Sequence, residues 1–559
     1  MGCDNTILRM TRREFLAASA AASAGRAAPS SRRPNILLIL TDDQGYGDLG
    51  IHGNDKIRTP NIDRLAREGV QFTQFHVSPV CSPTRSSLMT GRYNYRTGVV
   101  DTYLGRSMMY PEEVTLAEML GAAGYQTGIF GKWHLGDNYP LRAIDQGFHR
   151  AVVHKGGGLG QPSAFPDGAG YFDPILLDDG APRRHKGYVT DIFTDEALGF
   201  IESNRNRPFF AYVATNAPHT PLEIADTWVE PYRKAGLDEQ TARIYGMVTN
   251  LDENIGRLLA KLNELGLEQD TIVVFLTDNG PQQRRYNAGM RGLKGSVYEG
   301  GIRVPCFFRW PRLARPGSRI DRLAAHIDLA PTLLEASGVP VPKDAAVDGR
   351  SLLPLMGGGE AVWPDRTLFF QWHRGDEPQP WRQCAARDQR WKLVDGKELY
   401  DLDNDPAESR DRAGENPAIV ERLRRSYEDW FRDVSPARGW GPPRIQLGTR
   451  FENPAILTRQ DWRGPRAAWD EDSLGYWEVE VGETAPYEVT VTAAPAKTGG
   501  EVRFRFNEVS SAQPLATGAG RVRLGPVTLP AGDGRIEVEI HGGSRPVGAH
   551  YVELRRLSR

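Results

Sequence analysis

The stretch Asn35-Ile36-Leu37-Leu38-Ile39-Leu40-Thr41-Asp42-Asp43 is a continuous apolar run that stops on two carboxylates. A strand with one wet face would alternate apolar and polar side chains. This one does not, so both of its faces must be covered by other elements. Three more short runs read the same way: Thr127-Gly128-Ile129-Phe130, Phe209-Phe210-Ala211-Tyr212-Val213-Ala214 and Thr271-Ile272-Val273-Val274-Phe275-Leu276. Helical patterns lie among them. The segment from Thr59 to Gly69 has Pro60 in its first turn and ends on glycine, the expected start and stop signals. Tyr245, Val248, Leu251, Ile255, Leu258, Leu259 and Leu262 recur at helical spacing, which predicts a long amphipathic helix. Strand–helix alternation predicts an α/β fold with a mainly parallel sheet and helices on both faces. Residues 154–187, which hold Gly156-Gly157-Gly158 and Arg183-Arg184-His185-Lys186, are expected to be a long loop over one sheet edge.

The texture then changes. Short strand-like pieces at Thr367–Trp372, Trp391–Val394 and Glu398–Leu402 precede a helix near 417–433, which predicts a small α+β subdomain. Beyond Gly439-Trp440-Gly441-Pro442-Pro443 the chain alternates apolar and polar at Tyr476–Val481, Tyr487–Thr492, Glu501–Phe506, Arg535–Ile540 and Tyr551–Leu554. Strands at that density predict a C-terminal β-sandwich. The expected boundaries are an export signal at 1–30, the α/β domain at 31–315, the α+β subdomain at 316–440 and the sandwich at 445–559.

With 559 residues there is room for several domains, and 69 Lys+Arg against 71 Asp+Glu leave a net charge of -2. That balance gives no whole-chain electrostatic footprint for nucleic acid, and no nucleic-acid partner is expected. Hydrophobic residues at 40% and charged residues at 25% exclude disorder and a polytopic membrane protein. Four cysteines (Cys3, Cys81, Cys306 and Cys384) are too few for a disulfide scaffold. Arg12-Arg13 before Phe15-Leu16 and the small-residue run Ala17–Ala24 read as an export signal, and the paired arginines resemble the twin-arginine type. No later run approaches the ~20 apolar residues of a spanning helix. The mature protein is therefore expected in a bacterial periplasm or outside the cell, with no stable membrane insertion.

Each parallel strand candidate runs straight into polar residues. Leu40 leads to Thr41-Asp42-Asp43, Leu276 to Thr277-Asp278-Asn279, Phe130 to Gly131-Lys132-Trp133-His134, and Ala214 to Thr215-Asn216-Ala217-Pro218-His219. Ligands of open α/β sheets bind outside the carboxyl ends of the strands, so these four segments should converge. Three carboxylates and an amide oxygen gathered there would repel or take up protons unless a cation joined them. Oxygen ligands in that number favour Ca²⁺ or Mg²⁺ over zinc.

One segment carries more chemistry than the rest: Cys81-Ser82-Pro83-Thr84-Arg85-Ser86-Ser87-Leu88-Met89-Thr90-Gly91-Arg92. Pro83 suits a first helical turn and Gly91 a stop, which puts Cys81 at a positive helix N-terminus. Arg85, one turn on, would face it and offer a bidentate donor to an oxyanion. A buried structural cysteine, or a low-pKa redox-sensitive thiolate, is the plain alternative for such a pair. The full string, however, resembles the sulfatase signature, in which Cys-x-Pro-x-Arg followed by Thr-Gly directs oxidation of the cysteine to formylglycine. The resemblance runs from Pro34-Asn35-Ile36 through Gly131-Lys132-Trp133-His134-Leu135-Gly136, Thr277-Asp278-Asn279-Gly280, Gly292-Leu293-Lys294-Gly295 and Tyr298-Glu299-Gly300-Gly301-Ile302-Arg303-Val304-Pro305 to Leu399-Tyr400-Asp401-Leu402-Asp403-Asn404-Asp405-Pro406. About 400 residues are covered in order, a span of two or more average domains.

The chain thus resembles the formylglycine-dependent sulfatases of arylsulfatase type, in the alkaline phosphatase superfamily. The resemblance implies an alkaline-phosphatase-like fold and a divalent metal, Ca²⁺ with Mg²⁺ as the alternative. Its ligands would be Asp42, Asp43, Asp278 and Asn279, together with the residue made from Cys81. It further implies that hydrated formylglycine attacks the sulfur of a sulfate ester. Arg85, Lys132 and Lys294 would hold the sulfate, His219 or Lys294 would protonate the departing alcohol, and His134 would deprotonate the second hydroxyl that expels sulfate. The implied partners are a sulfated small molecule or glycan and a formylglycine-generating maturation enzyme. Two other readings share these motifs: a phosphonate monoester or phosphodiester hydrolase, and a non-catalytic glycan binder on the same fold. Trp462, Trp469 and Trp477 of the sandwich either stack on sugar rings or pack the core and its interface. Cys306 and Cys384 have no sequence basis for pairing.

Overall fold

The computed structural model describes residues 33–557, apart from 314, 344, 358–362 and 497. The expected export signal at 1–30 lies outside the described residues. The strand Asn35–Thr41 is completely buried along its length and sits mid-way in a ten-stranded sheet. Its two neighbours, Phe209–Ala214 and Thr271–Thr277, run parallel to it. Outward on one side follow Gln126–Lys132 and Arg150–His154, also parallel. On the other side Cys306–Arg309 turns antiparallel and pairs with Val70–Phe72, which is joined in parallel by Ser318–Ile320.

Alternate side chains of the first strand feed two separate cores, which is why the run has no polar member. Ile36, Leu38 and Leu40 face one layer with Leu88, Met89, Leu116 and Leu333. Leu37 and Ile39 face the other with Ile62, Phe193, Leu251 and Leu258. The second layer contains the helices Pro60–Glu68, Val189–Ser203 and Glu239–Glu264, the last being the long amphipathic helix expected from its spacing.

One expectation fails at the sheet edge. Residues 154–187 are not all loop: Ile175–Asp178 and Ala181–Arg184 form a hairpin that adds two antiparallel strands. Its two-residue turn is Asp179-Gly180, with φ of 50° and 85°, the left-handed pair that a tight hairpin requires. That dipeptide was the available signal, masked by the surrounding glycines and charges.

After the main sheet, Leu368–Gln371, Cys384–Arg387, Trp391–Val394 and Glu398–Asp401 make a four-stranded antiparallel sheet. The helix Pro417–Val434 packs on it through Val420, Leu423, Tyr427 and Trp430. Two further sheets close the chain. One contains Leu474–Val481, Gly532–His541 and Gly500–Phe506; the other contains Tyr551–Arg556, Ala485–Thr492 and Arg521–Leu529. Their inner faces share a core that includes Trp462, Trp477, Phe504 and Val552. The strands Val509–Leu515 and Arg521–Leu529 escape the sequence pattern. Pro514 and a serine pair weaken the first, and Gly525-Pro526 interrupts the second. Among the described residues no helix is long and apolar enough to cross a membrane.

Candidate active site

The sheet register brings the strand ends together. Thr41 lies beside Thr277, and Ala214 lies between Leu40 and Gly131, so Asp42, Asp43, Asp278, Asn279, Lys132 and His134 all emerge at one edge. The chain turns sharply there. Asp43 and His134 adopt φ of 60° and 61°, a left-handed conformation uncommon outside glycine and held only where the surrounding structure over-determines the backbone.

Cys81 begins the helix Cys81–Thr90, and Gly91 ends it in the left-handed conformation. Among the described residues, Asp42, Asp43, Cys81 and Asp278 each offer a ligand atom within 4.8 Å of the others. The Cys81 Sγ lies 3.7 Å from Asp42 Oδ1. Burial pushes this thiol up to about 12, against the pull of Lys132 and Lys294. The reactive-thiolate alternative is therefore disfavoured, in spite of the helix N-terminus.

The cations are tightly engaged. Lys132 Nζ is 2.7 Å from Asp42 Oδ2 with both side chains fully buried. Lys294 Nζ is 2.6 Å from Asp43 Oδ1. Arg85 has protein partners of its own. Its Nε and Nη2 both donate to Asp278 Oδ2, at 3.1 and 2.8 Å, and its Nη1 donates to the Lys132 carbonyl at 2.8 Å.

The carboxylates feel opposing forces. Burial would raise Asp43, but the ammonium groups of Lys294 and Lys132 outweigh it and hold the group well below the usual range. Burial and then Asp42 push Asp278 up, to about 6, against Arg85. Asp43 Oδ2 and Asn279 Oδ1 are buried without a hydrogen-bond partner, while Asn279 Nδ2 donates to Asp43 Oδ1 at 2.8 Å. Oxygen ligands with unused lone pairs and mutual repulsion fit a hard divalent cation.

The histidines have fixed proton positions. A carbonyl only accepts, so the ring nitrogen beside one must carry the hydrogen. His134 Nε2 lies 2.7 Å from the Thr102 carbonyl, which leaves Nδ1 as a buried lone pair with no partner. His219 Nδ1 lies 2.6 Å from the Thr220 carbonyl, so its Nε2, 3.7 Å from Asp43 Oδ2, is the lone pair. Burial keeps both rings neutral, pushing His219 down to about 3 and His134 well below its ordinary value.

The chain matches the family model described as Sulfatase over residues 34–339. The chain belongs to the sulfatase family. It is accordingly a sulfuric ester hydrolase of the alkaline phosphatase superfamily. Residues 293–429 of this sulfatase match a second model, described as N-sulphoglucosamine sulphohydrolase, C-terminal. Human arylsulfatase A is 32% identical over 492 residues, which is 76% of this chain and 92% of the relative. A solved structure of Ps i-CgsB in complex with k-i-k-neocarrahexaose has a TM-score of 0.67 at 30% identity, covering 73% of this chain and 94% of its own. Another, in complex with its substrate D-glucosamine-2-N,6-O-disulfate, has a TM-score of 0.60 at 25% identity, covering 74% of this chain and all of its own.

Three residues near this sulfatase's site escape a motif reading. His154 ends its strand opposite Lys132, with Nδ1 near the Lys155 carbonyl and Nε2 buried without a partner. Its signal was available, because it too terminates a parallel strand. Gly157 lies so close to His134 that a Cβ there would sit 2.6 Å from the ring Cε1. Gln460, from the sandwich, bonds the same Thr102 carbonyl as His134; no local pattern marks it.

Proposed function

We propose that the enzyme removes sulfate from sulfated carbohydrate, with formylglycine made from Cys81 as its nucleophile and Ca²⁺ as its metal. The observation that carries this reading is the position of Cys81, buried at a helix N-terminus among three carboxylates, Lys132 and Lys294. Asp42, Asp43, Asp278 and Asn279 would hold the cation, with residue 81 completing the set. A bound cation would balance the clustered carboxylates and supply Lewis-acid stabilisation of negative charge during sulfate transfer. Hydrated formylglycine supplies two hydroxyls on one carbon, the first to attack sulfur and the second to expel sulfate.

The remaining work belongs to side chains. Arg85 holds Asp278 and the Lys132 backbone, so it fixes the ligand frame while Lys132 and Lys294 face the sulfate oxygens. Of the two acid candidates, Lys294 carries hydrogens in this arrangement and His219 Nε2 does not, which favours Lys294 for protonation of the leaving group. His134, neutral with Nδ1 unprotonated, is the base for the second hydroxyl. Export and prior action of a maturation enzyme belong to the same reading. A sulfated carbohydrate substrate is supported by the relatives, one solved with a disulfated glucosamine as its substrate.

The test is a mass spectrum of the peptide carrying residue 81 after expression in the native host, paired with assays on an aryl sulfate and the matching phosphonate monoester. Formylglycine with faster sulfate hydrolysis is expected. Unmodified cysteine would overturn the nucleophile, and faster phosphonate hydrolysis would overturn the substrate class.

A further inference from the structure

His134 leans on a carbonyl that the C-terminal sandwich also grips. Gln460 Nε2 donates to the Thr102 carbonyl oxygen at 2.9 Å and to Ser107 Oγ at 3.0 Å. A carbonyl oxygen has two lone pairs and accepts both this bond and the one from His134. Gln460 is buried and lies 358 positions from Thr102 in the chain, between the strands Ala455–Thr458 and Arg463–Arg466. The tie has companions. Gly105 N donates to the Gln460 carbonyl at 2.9 Å, and Arg463 Nη1 donates to the Leu104 carbonyl at 3.2 Å. The Trp469 ring meets Tyr103 edge-on with centroids 5.0 Å apart. Residues 101–107 contain no helix or strand, so these links from the sandwich help to define the segment's shape.

We propose that Gln460 is a positioning residue for His134, and that the sandwich is a structural part of the active site. By fixing the Thr102 carbonyl, Gln460 keeps the His134 proton on Nε2 and leaves Nδ1 to accept one. This rests on the reading in which His134 takes the proton of the second hydroxyl as sulfate departs with the bonding electron pair of the broken C–O bond. A turn carbonyl free to rotate would release the ring to the other tautomer, and misplacement by up to ~1 Å can cost as much as about a hundredfold in rate, so a partial loss of position costs less.

The experiment uses the full chain with Gln460→Met, which keeps length and removes both donors; Gln460→Glu serves if that variant does not accumulate. In protein left unconverted at Cys81, ¹⁵N-histidine NMR reads the His134 tautomer, assigned by loss of its signals in His134→Asn. Wild type should show hydrogen on Nε2, and Q460M should show averaged nitrogens. In converted enzyme kcat should fall about tenfold with KM within about twofold, the mark of an interaction made in the transition state. Tyr551→Phe cuts another sandwich tie, to the Ala164 carbonyl, and should leave both readouts at wild type. A Q460M variant with the wild-type tautomer and kcat would overturn the proposal, as would equal losses in Y551F. Failure to find formylglycine would overturn the nucleophile while the NMR result on the cysteine form still decided the positioning role.

Discussion

Arg85 grips Asp278 with two nitrogens on one oxygen, Oδ2, across 193 positions of sequence, and both side chains are at most 1% exposed. Removing one partner of such a pair strands the other charge in a dry interior. Arg85→Ala should therefore cost about 3–5 kcal/mol of stability. Arg85→Lys should recover only part, because an ammonium cannot reproduce the guanidinium fork. Urea unfolding of both variants checks this; an R85A midpoint equal to wild type would contradict it.

A bound cation should stabilise the fold whether or not the enzyme turns over. A ligand bound only by the folded state adds ~2.7 kcal/mol at a hundred times its Kd. A chelator should lower the melting temperature, and Ca²⁺ should restore it at lower concentration than Mg²⁺. Asn279→Ala removes the unpartnered Oδ1 without exposing a charge, and should shrink the calcium-dependent gain. Calorimetry with and without chelator reads this directly, and a melting temperature indifferent to both ions would exclude the metal.

Gly157 should be sensitive for a steric reason. A methyl group there would lie 2.6 Å from His134 Cε1 and 2.7 Å from Nε2, inside any real carbon contact. Gly157→Ala is expected to lower kcat by roughly a hundredfold, the cost of a displacement near 1 Å, while circular dichroism stays unchanged. Wild-type kcat in G157A would show that the loop simply yields.

Acid should weaken the fold through a buried neutral histidine. His326 is fully buried, with Nδ1 toward the His76 carbonyl and Nε2 toward the Ser78 hydroxyl, and burial pushes it down to about 3, against a usual value near 6.5. Above pH ~6.5 both states leave this ring neutral and the stability is fully present. As pH falls the unfolded chain takes up a proton that the folded one refuses, so stability declines from about 6.5 down toward 3. Urea midpoints at stepped pH should show that decline. His326→Gln should flatten part of it, and an unchanged slope in H326Q would assign the effect elsewhere.

Two of the three sandwich tryptophans belong to its core. Trp462 and Trp477 are completely buried and pack against each other at 5.8 Å, so neither presents a face to a sugar. Trp477→Ala should cost about 3–5 kcal/mol with no loss of affinity for a sulfated oligosaccharide beyond that of the unfolded fraction. Calorimetric titration on the folded variant is the check, and a large affinity loss would restore the stacking role.

The sequence by itself determined the central strands of the main sheet, because a segment covered on both faces must be apolar, as Ile36–Leu40 is. It also exposed the candidate ligands Asp42, Asp43, Asp278 and Asn279, because polar residues at the end of such a run have one place to go. The Cys81 helix was equally legible, since proline and glycine mark helix ends locally. The tertiary structure decided the rest. Arg85 turns to Asp278, the edge loop folds back as a hairpin at Asp179-Gly180, and carbonyls of Thr102 and Thr220 set which nitrogen of His134 and His219 carries hydrogen. Gln460 reaches Thr102 across most of the chain. Periodicity and end signals act between near neighbours and leave a trace in composition. A hydrogen bond between distant segments depends on how whole layers pack, and neither partner's neighbours in sequence record it.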